Sequence, residues 1–205
     1  MREPLSFAAR ADWLALASWI EPRSRVLDLG CGDGQLLRHL QQTRQVSGYG
    51  IEIEPARVVS AVRNGVNVLQ MNLETGLSGF DDRSFDTVIL SQTLQAMRHT
   101  EAILREILRV GREGIVTFPN FGFWKNRMQV LGGVMPKSQA MPYEWFDTPN
   151  IHLCTLRDFE SLCPRIGARV VQRLVIGPQG EPVELFPNLR GSLAIYRIQP
   201  QERRP

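Results

Sequence analysis

Val26-Leu27-Asp28-Leu29-Gly30-Cys31-Gly32-Asp33-Gly34 is the stretch whose residue types most plainly imply chemistry. An apolar run carries Asp28 near its end, and three glycines follow at alternate positions before a helical pattern begins. Glycine admits positive φ and lets a backbone pass close to a ligand where a Cβ would collide. In doubly wound sheets such a loop lies beyond the carboxyl end of a strand, where ligands bind. The spacing narrows the ligand. A dinucleotide fingerprint, G-x-G-x-x-G, needs glycine at position 35, which is Gln35. The pattern present is D-x-G-x-G-x-G, lacking the third glycine that allows close helix–strand packing at a pyrophosphate site. Asp28 is unfavourable beside pyrophosphate but suits a ligand with an ammonium and a sulfonium. Glu52 follows at the end of the second strand pattern. Its carboxylate, acceptor-only when ionised, can take both hydroxyls of a ribose. Replacing Glu52 is therefore expected to weaken ligand binding and to spare the fold.

Acid–base candidates are few: His99, His152, Tyr143, Glu144 and Asp147. His99 reads as a surface residue at the entry to a helix, with Thr100 as N-cap. His152, in a dense stretch with Asp147, Asn150 and Cys154, reads equally as an acid–base group or as a hydrogen bond that orders a loop. Cys31 lies inside the glycine loop, where a packing role outweighs a nucleophilic one.

The elements that must position these residues alternate along the first two thirds of the chain. Strand patterns occupy Arg25–Leu29, Val46–Ile53, Val66–Met71, Phe85–Leu90 and Gly114–Phe118. Helical patterns intervene: Gln35–Gln42, a helix from Pro55 carrying Val58, Val59 and Val62 and stopped at Gly65, and a helix bearing Ile103, Leu104, Ile107 and Leu108. Before them, Trp13, Leu16, Ala17 and Ile20 form an amphipathic stripe. The alternation implies a parallel sheet with helices on both faces, joined by right-handed crossovers. Pro119–Pro149 breaks the rhythm, and loops of this length are generally lids or binding surfaces. Asp158–Leu162 reads as a helix, Arg169–Ile176 and Ser192–Ile198 as strands joined by Gly177–Gly191, and Gln199–Pro205 as a frayed tail.

Bulk properties fit one domain of 205 residues. A net charge of +3, with no basic stripe, argues against a nucleic-acid partner. Of 24 basic residues only Lys125 and Lys137 are lysine. Three cysteines without C-x-x-C spacing argue against a zinc site or disulfide framework, and point to a reducing cytoplasm. Without a run of about 18 apolar residues, no membrane span is expected. The apolar Trp13–Ile20 is interrupted upstream by Glu3, Pro4 and Asp12 and lacks a cleavage pattern, so it does not read as a signal peptide.

Over roughly Val26–Phe118 the chain resembles the class I S-adenosylmethionine-dependent methyltransferases, through D-L-G-C-G-D-G, Gly50-Ile51-Glu52 and Phe85-Asp86-Thr87-Val88-Ile89. The resemblance implies a three-layer α/β/α sandwich, Rossmann-like, on a mostly parallel seven-stranded sheet whose last two strands pair antiparallel. It also implies a cofactor, S-adenosylmethionine or S-adenosylhomocysteine. Asp28, Gly30, Cys31, Gly32 and Gly34 would line its amino-acid part and Glu52, with Ile53, its ribose. Asn72 and Leu73 would meet the adenine, Asn72 replacing the more usual Asp, and Ser91 would complete the site. Methyl transfer needs alignment and a dry pocket more than a catalytic group. After the fourth strand, amino-methylating members of the class that act on nucleic acids carry Asn- or Asp-Pro-Pro-aromatic, and small-molecule members often carry histidine. Here Gln92 and Gln95 stand instead, and neutral amides cannot act as general bases at pH 7.

A narrower likeness covers nearly the whole chain. Phe118-Pro119-Asn120-Phe121-Gly122-Phe123-Trp124 and Pro142-Tyr143-Glu144-Trp145-Phe146-Asp147-Thr148-Pro149-Asn150-Ile151-His152 resemble the MetW methionine-biosynthesis proteins. This implies a bacterial protein working beside a homoserine O-acyltransferase, as an accessory or regulatory partner that binds S-adenosylmethionine. The alternative is an active methyltransferase on a small-molecule or protein acceptor. Under either, residues 1–205 form a single domain, with an inserted aromatic and proline-rich loop at about 119–153. Phe121–His152 is then the expected docking face, unless the same aromatics close over the cofactor as a lid.

Overall fold

A computed structural model describes residues 7–201, with side chains from Asp12 onward. Seven strands run through it: β1 (Arg25–Leu29), β2 (Ser47–Glu52), β3 (Val68–Gln70), β4 (Phe85–Ser91), β5 (Gly111–Pro119), β6 (Ala168–Ile176) and β7 (Leu193–Pro200). They form one sheet in the order β3-β2-β1-β4-β5-β7-β6, in which β7 alone runs against the others. Among the described residues the helices are α1 (Phe7–Trp19), α2 (Gln35–Arg44), α3 (Pro55–Arg63), α4 (Thr100–Val110), α5 (Trp124–Leu131), α6 (Leu156–Arg165) and the single turn α7 (Pro187–Arg190).

Alternation along the strands divides the core in two. Leu27, Leu29, Val88, Leu90, Val116 and Phe118 face α4 and α6; Val26, Ile89, Ile115 and Ile195 face α1 and α2. That is the three-layer α/β/α sandwich of the class I methyltransferase fold, because successive strand side chains point to opposite faces. The chain leaves β1 toward β2 on one side and returns to β4 on the other, so β1 and β4 flank the switch point where loops diverge.

Several boundaries shift from the sequence reading, each for a local reason. β5 starts at Gly111 rather than Gly114, because the buried Glu113 accepts hydrogen bonds from Thr87 Oγ1 and Arg197 Nε, at 3.2 and 2.8 Å. A charged strand residue is tolerable when it is paired in this way. Thr100 is the first residue of α4 and His99 its cap, without a side-chain cap bond; Thr100 Oγ1 donates back to Met97 O. α6 begins two residues earlier than expected, on a reciprocal capping box between Thr155 and Asp158. Gly65, at φ 80°, does end α3, while Val59 and Val62 face outward and Ala61 packs inward. Gln199 and Pro200 belong to β7, paired with Arg169 and Ala168, rather than to a tail; residues 202–205, with Glu3 and Pro4, lie outside the described residues. The stretch read as a plain excursion, Pro119–Pro149, contains α5. No described helix is long and apolar enough to cross a membrane.

Candidate functional site

The glycine loop leaves β1 with all three glycines in the left-handed region: Gly30 at φ 71°, Gly32 at 58° and Gly34 at 76°. The carboxyl end of β2 holds it there. Gly30 N and Cys31 N both donate to Ile51 O, at 2.8 and 3.0 Å, and Gly32 N donates to Glu52 Oε2 at 2.9 Å. Glu52 Oε1 accepts from Ile53 N and Glu54 N, at 2.8 and 2.9 Å. Glu52 is only 6% exposed, and three of the roughly four acceptor positions of its carboxylate are filled by backbone. A Cβ on Gly32 would meet nothing within 4 Å, whereas one on Gly30 would strike Thr93 Oγ1 at 2.7 Å. The loop is therefore packed behind and open in front.

In front lies a cleft of about 610 Å³ at the carboxyl ends of β1 to β4. Gly30, Glu52, Ile53, Asn72 and Leu73 line it, five of the ten residues singled out from the sequence. Asn72 also caps a short 3-10 turn (Leu73–Thr75), its Oδ1 accepting from Glu74 N at 3.0 Å. The other five, Asp28, Cys31, Gly32, Gly34 and Ser91, are not among the cleft's walls. Asp28 is 2% exposed, and burial, reinforced by the charge of Glu52, pushes its carboxyl up to about 7. Cys31 packs against Gly50, where an added Cβ would meet its Sγ at 2.4 Å, and burial lifts its thiol to about 12. A thiol so protonated is a packing group, not a nucleophile. Ser91 Oγ lies 3.2 Å from Thr117 Oγ1, in the sheet.

Gln92, Thr93 and Gln95 add walls that the sequence did not single out as ligand contacts. Gln92 has φ 49°, with its N donating to Thr117 O and Thr117 Oγ1, both at 3.0 Å. Its Nε2 donates to Asp12 Oδ2 at 3.2 Å. Asp12 is fully buried on α1; burial lifts it to about 7, and its Oδ1 has no hydrogen-bond partner among the described residues. Only a contact across 80 residues could reveal this pair, so no local signal existed.

The inserted segment roofs the cleft. Gln139, Ala140, Pro142, Tyr143, Pro149 and Asn150 line it from above. Ile151 N and His152 N both donate to Gln95 O, at 2.7 and 3.0 Å, pinning the end of the segment to the cleft floor. His152 Nε2 lies 3.3 Å from Arg98 O, the loop-ordering role. His99 is a surface residue paired with Glu74. Partial burial opposes ionisation of Glu74, yet bonds from Arg98 N, the His99 ring and His99 N hold it below the usual carboxylate range. The outer side of the segment is apolar: Trp145 and Phe146 are 71% and 70% exposed and meet edge to face. Among the described residues no cluster of His, Cys, Asp and Glu could hold a metal ion.

Residues 10–198 match the family model described as methionine biosynthesis protein MetW. A curated relative, the bifunctional methionine biosynthesis protein MetXA/MetW of Rhodopirellula baltica, is 31% identical over 213 residues, covering 98% of this chain. The chain spans only 34% of that relative's length. Among solved structures, a SAM-dependent methyltransferase from Archaeoglobus fulgidus matches with a TM-score of 0.70 at 12% identity, covering 92% of this chain and 91% of that one. The cyclase SpnF matches at 0.66 and 16% identity, covering 94% and 80%. Such likenesses establish the fold. They do not choose a reaction, since a cyclase shares it.

Two outcomes follow from the geometry. Glu52→Ala strands three backbone donors, so it lowers stability by about 2–4 kcal/mol in urea unfolding, unlike the expectation that the fold is spared. An unfolding midpoint equal to the parent's would show that the carboxylate does not hold the loop. Asp12 and Asp28 have folded-state pKa values near 7, raised from 3.8. Between these values the folded chain keeps protons that the unfolded chain releases, so stability falls as pH rises from 5 to 8. Thermal unfolding across that range should show the decline, and Asp28→Asn should make it shallower by removing one of the two contributions; a parallel slope in the variant would contradict the assignment.

Proposed function

The chain belongs to the MetW family of methionine biosynthesis proteins, and from that we propose that it is an S-adenosylmethionine-binding accessory or regulatory partner of a homoserine O-acyltransferase. The observation that carries the cofactor half is the cleft over the left-handed glycine loop, walled by Gly30, Glu52 and Asn72. Glu52 Oε2 retains an acceptor position for one ribose hydroxyl without releasing Gly32. Asn72 and Leu73 stand beside the adenine, and Asp28, buried beneath the loop, packs under the amino-acid end. S-adenosylhomocysteine fits by the same contacts.

The partner half is supported by the Rhodopirellula relative, whose name joins MetXA and MetW in one protein. Fusion places two activities at high effective concentration, which is useful when they act on each other. The outward Trp145 and Phe146 are the residue types that anchor interfaces. Pro136, Pro142 and Pro149 limit the loop's freedom and so lower the cost of ordering it on binding. Tyr143 lines the cleft and Trp145 faces solvent, which supports assigning the lid role to the inner side of the segment and docking to the outer side. The second reading, an active methyltransferase, is favoured by one feature, a further cavity adjoining the cleft.

Isothermal titration should show saturable binding of S-adenosylmethionine and S-adenosylhomocysteine and none of NAD. NAD binding without response to the other two would overturn the cofactor assignment. The two sides of the roof separate by mutation. Trp145→Ala with Phe146→Ala should abolish co-purification of a co-expressed homoserine O-acyltransferase while keeping S-adenosylmethionine affinity within about threefold, ~0.7 kcal/mol. Tyr143→Ala should weaken the cofactor and spare the complex. A reversed pattern would exchange the roles of lid and docking face.

A further inference from the structure

Against the cofactor cleft lies a second cavity of about 360 Å³, which shares Gln92, Gln139 and Ala140 with it. Its cations are Lys125 and Lys137. They are the only two lysines among 24 lysine and arginine residues, the other 22 being Arg. Lys125 stands in the first turn of α5, its Nζ 5.7 Å from the ring centroid of Trp124. Ser138, Ser192 and the two glutamines supply the other polar side chains, and no acidic side chain is among the described residues of its wall.

The charge is one-sided and the donors are flexible. Lysine is a compact point charge on a rotatable stem, suited to an anion that arrives and leaves rather than to a fixed bidentate pair. The anion already present is the protein's own: Lys137 Nζ is ion-paired with Glu144 Oε1, at the outer end of the roof. Both partners are about half exposed, so this pair contributes little to stability and is readily exchanged. A carboxylate is therefore the chemistry that Lys137 is arranged to meet, and Glu144 acts as its stand-in.

We propose that the second cavity binds a small carboxylate-bearing molecule beside the cofactor, its carboxylate held by Lys125 and Lys137 in place of Glu144. That the neighbouring ligand is S-adenosylmethionine rests on the cleft reading above; the carboxylate site stands on its own lysines. Gln92 forms the shared wall, held by Thr117 and the buried Asp12, so a molecule in this cavity lies against the cleft. Displacing Glu144 removes the ion pair that ties to Lys137 the turn carrying Tyr143 on its inner side and Trp145 and Phe146 outside, while that turn keeps its own Glu144–Asp147 bonds. Occupancy of the cavity is thereby linked to the exposed aromatic face.

Succinate serves as the probe, titrated calorimetrically into the full chain with and without S-adenosylmethionine. Expected is saturable binding with a Kd below about 10 mM, and none by the neutral isostere succinamide. Lys125→Gln with Lys137→Gln should weaken succinate at least about tenfold, and Glu144→Gln should strengthen it by about threefold, because the competitor is gone. S-adenosylmethionine affinity of the lysine variant, measured alongside, should stay within about threefold. No saturable succinate binding, equal binding of succinamide, or indifference to the lysine substitutions would overturn the site. Weaker binding in Glu144→Gln would overturn the displacement. Failure of S-adenosylmethionine to bind the parent protein would remove the cofactor reading alone, since the succinate arms decide the cavity without it.

Discussion

A loop of three left-handed glycines has no side chains with which to hold its own shape, so its shape must be imposed. Here the imposition comes from two successive residues of β2. Ile51 offers its carbonyl to Gly30 and Cys31, and Glu52 offers its carboxylate to Gly32, Ile53 and Glu54. The close packing of Cys31 on Gly50 completes the grip. Everything that a ligand would meet at the floor of the cleft depends on this contact between β1's exit and β2's end. The strand order makes it possible, because β2 is β1's direct neighbour on the side away from the switch to β4. A carboxylate that builds the loop and also faces the cleft ties folding to binding, and a substitution there cannot test one without the other.

The roof follows a different logic. It is anchored at its start by the buried Asn120, whose Oδ1 accepts from Gly122 N at 2.9 Å and whose Nδ2 donates to Gly191 O at 2.8 Å. It is anchored at its end by the two bonds to Gln95 O. Between these pins the chain carries α5 and a series of turns with few buried side chains, Phe123, Asn126 and Met141 among them. A segment held at both ends and loosely packed in the middle is where low-cost motion is expected. Its inner side lines a cleft and its outer side exposes aromatics, so any rearrangement of one moves the other.

Much of this was legible in the sequence, and what was legible is local. The antiparallel closing pair was implied by the family resemblance, whereas the apolar runs of β1 and β4, the glycine spacing and the acidic residue ending β2 are written in short stretches. They were readable because a period-2 pattern and a glycine constraint need no distant partner. What escaped was non-local. Glu113 hides the start of β5 until Arg197 arrives from β7 to pair with it. Gln92 looks like an inert replacement for histidine until Asp12 is placed behind it. Lys125 and Lys137 look like a compositional accident until one cavity contains both. α5 escaped although Trp124, Met128 and Leu131 stand at i, i+4 and i+7: the helix is only two turns long, and the fold leaves that apolar face exposed while burying Asn126.

The amides after β4 bear on what kind of protein this cleft serves. A sulfonium methyl needs alignment, not a base, so Gln92 and Gln95 do not exclude transfer. They do set the polarity of the junction. Gln92 spends its Nε2 on Asp12 and Gln95 spends its own on Gln92 O, at 2.6 Å, while Gln95 Oε1 has no partner among the described residues. The junction therefore presents neutral amides whose donors are engaged within the protein, with Gln95 Oε1 buried. The carboxylates in the cleft wall are Glu52, Glu54 and Glu74, and Asp12 lies behind Gln92. Of these, Asp12 is the one that burial raises to about 7, where a carboxyl can hold a proton at neutral pH. Binding two ligands side by side is thus within the reach of the residues in the walls, whereas the carboxyl near Gln92 that can hold a proton at neutral pH lies behind them.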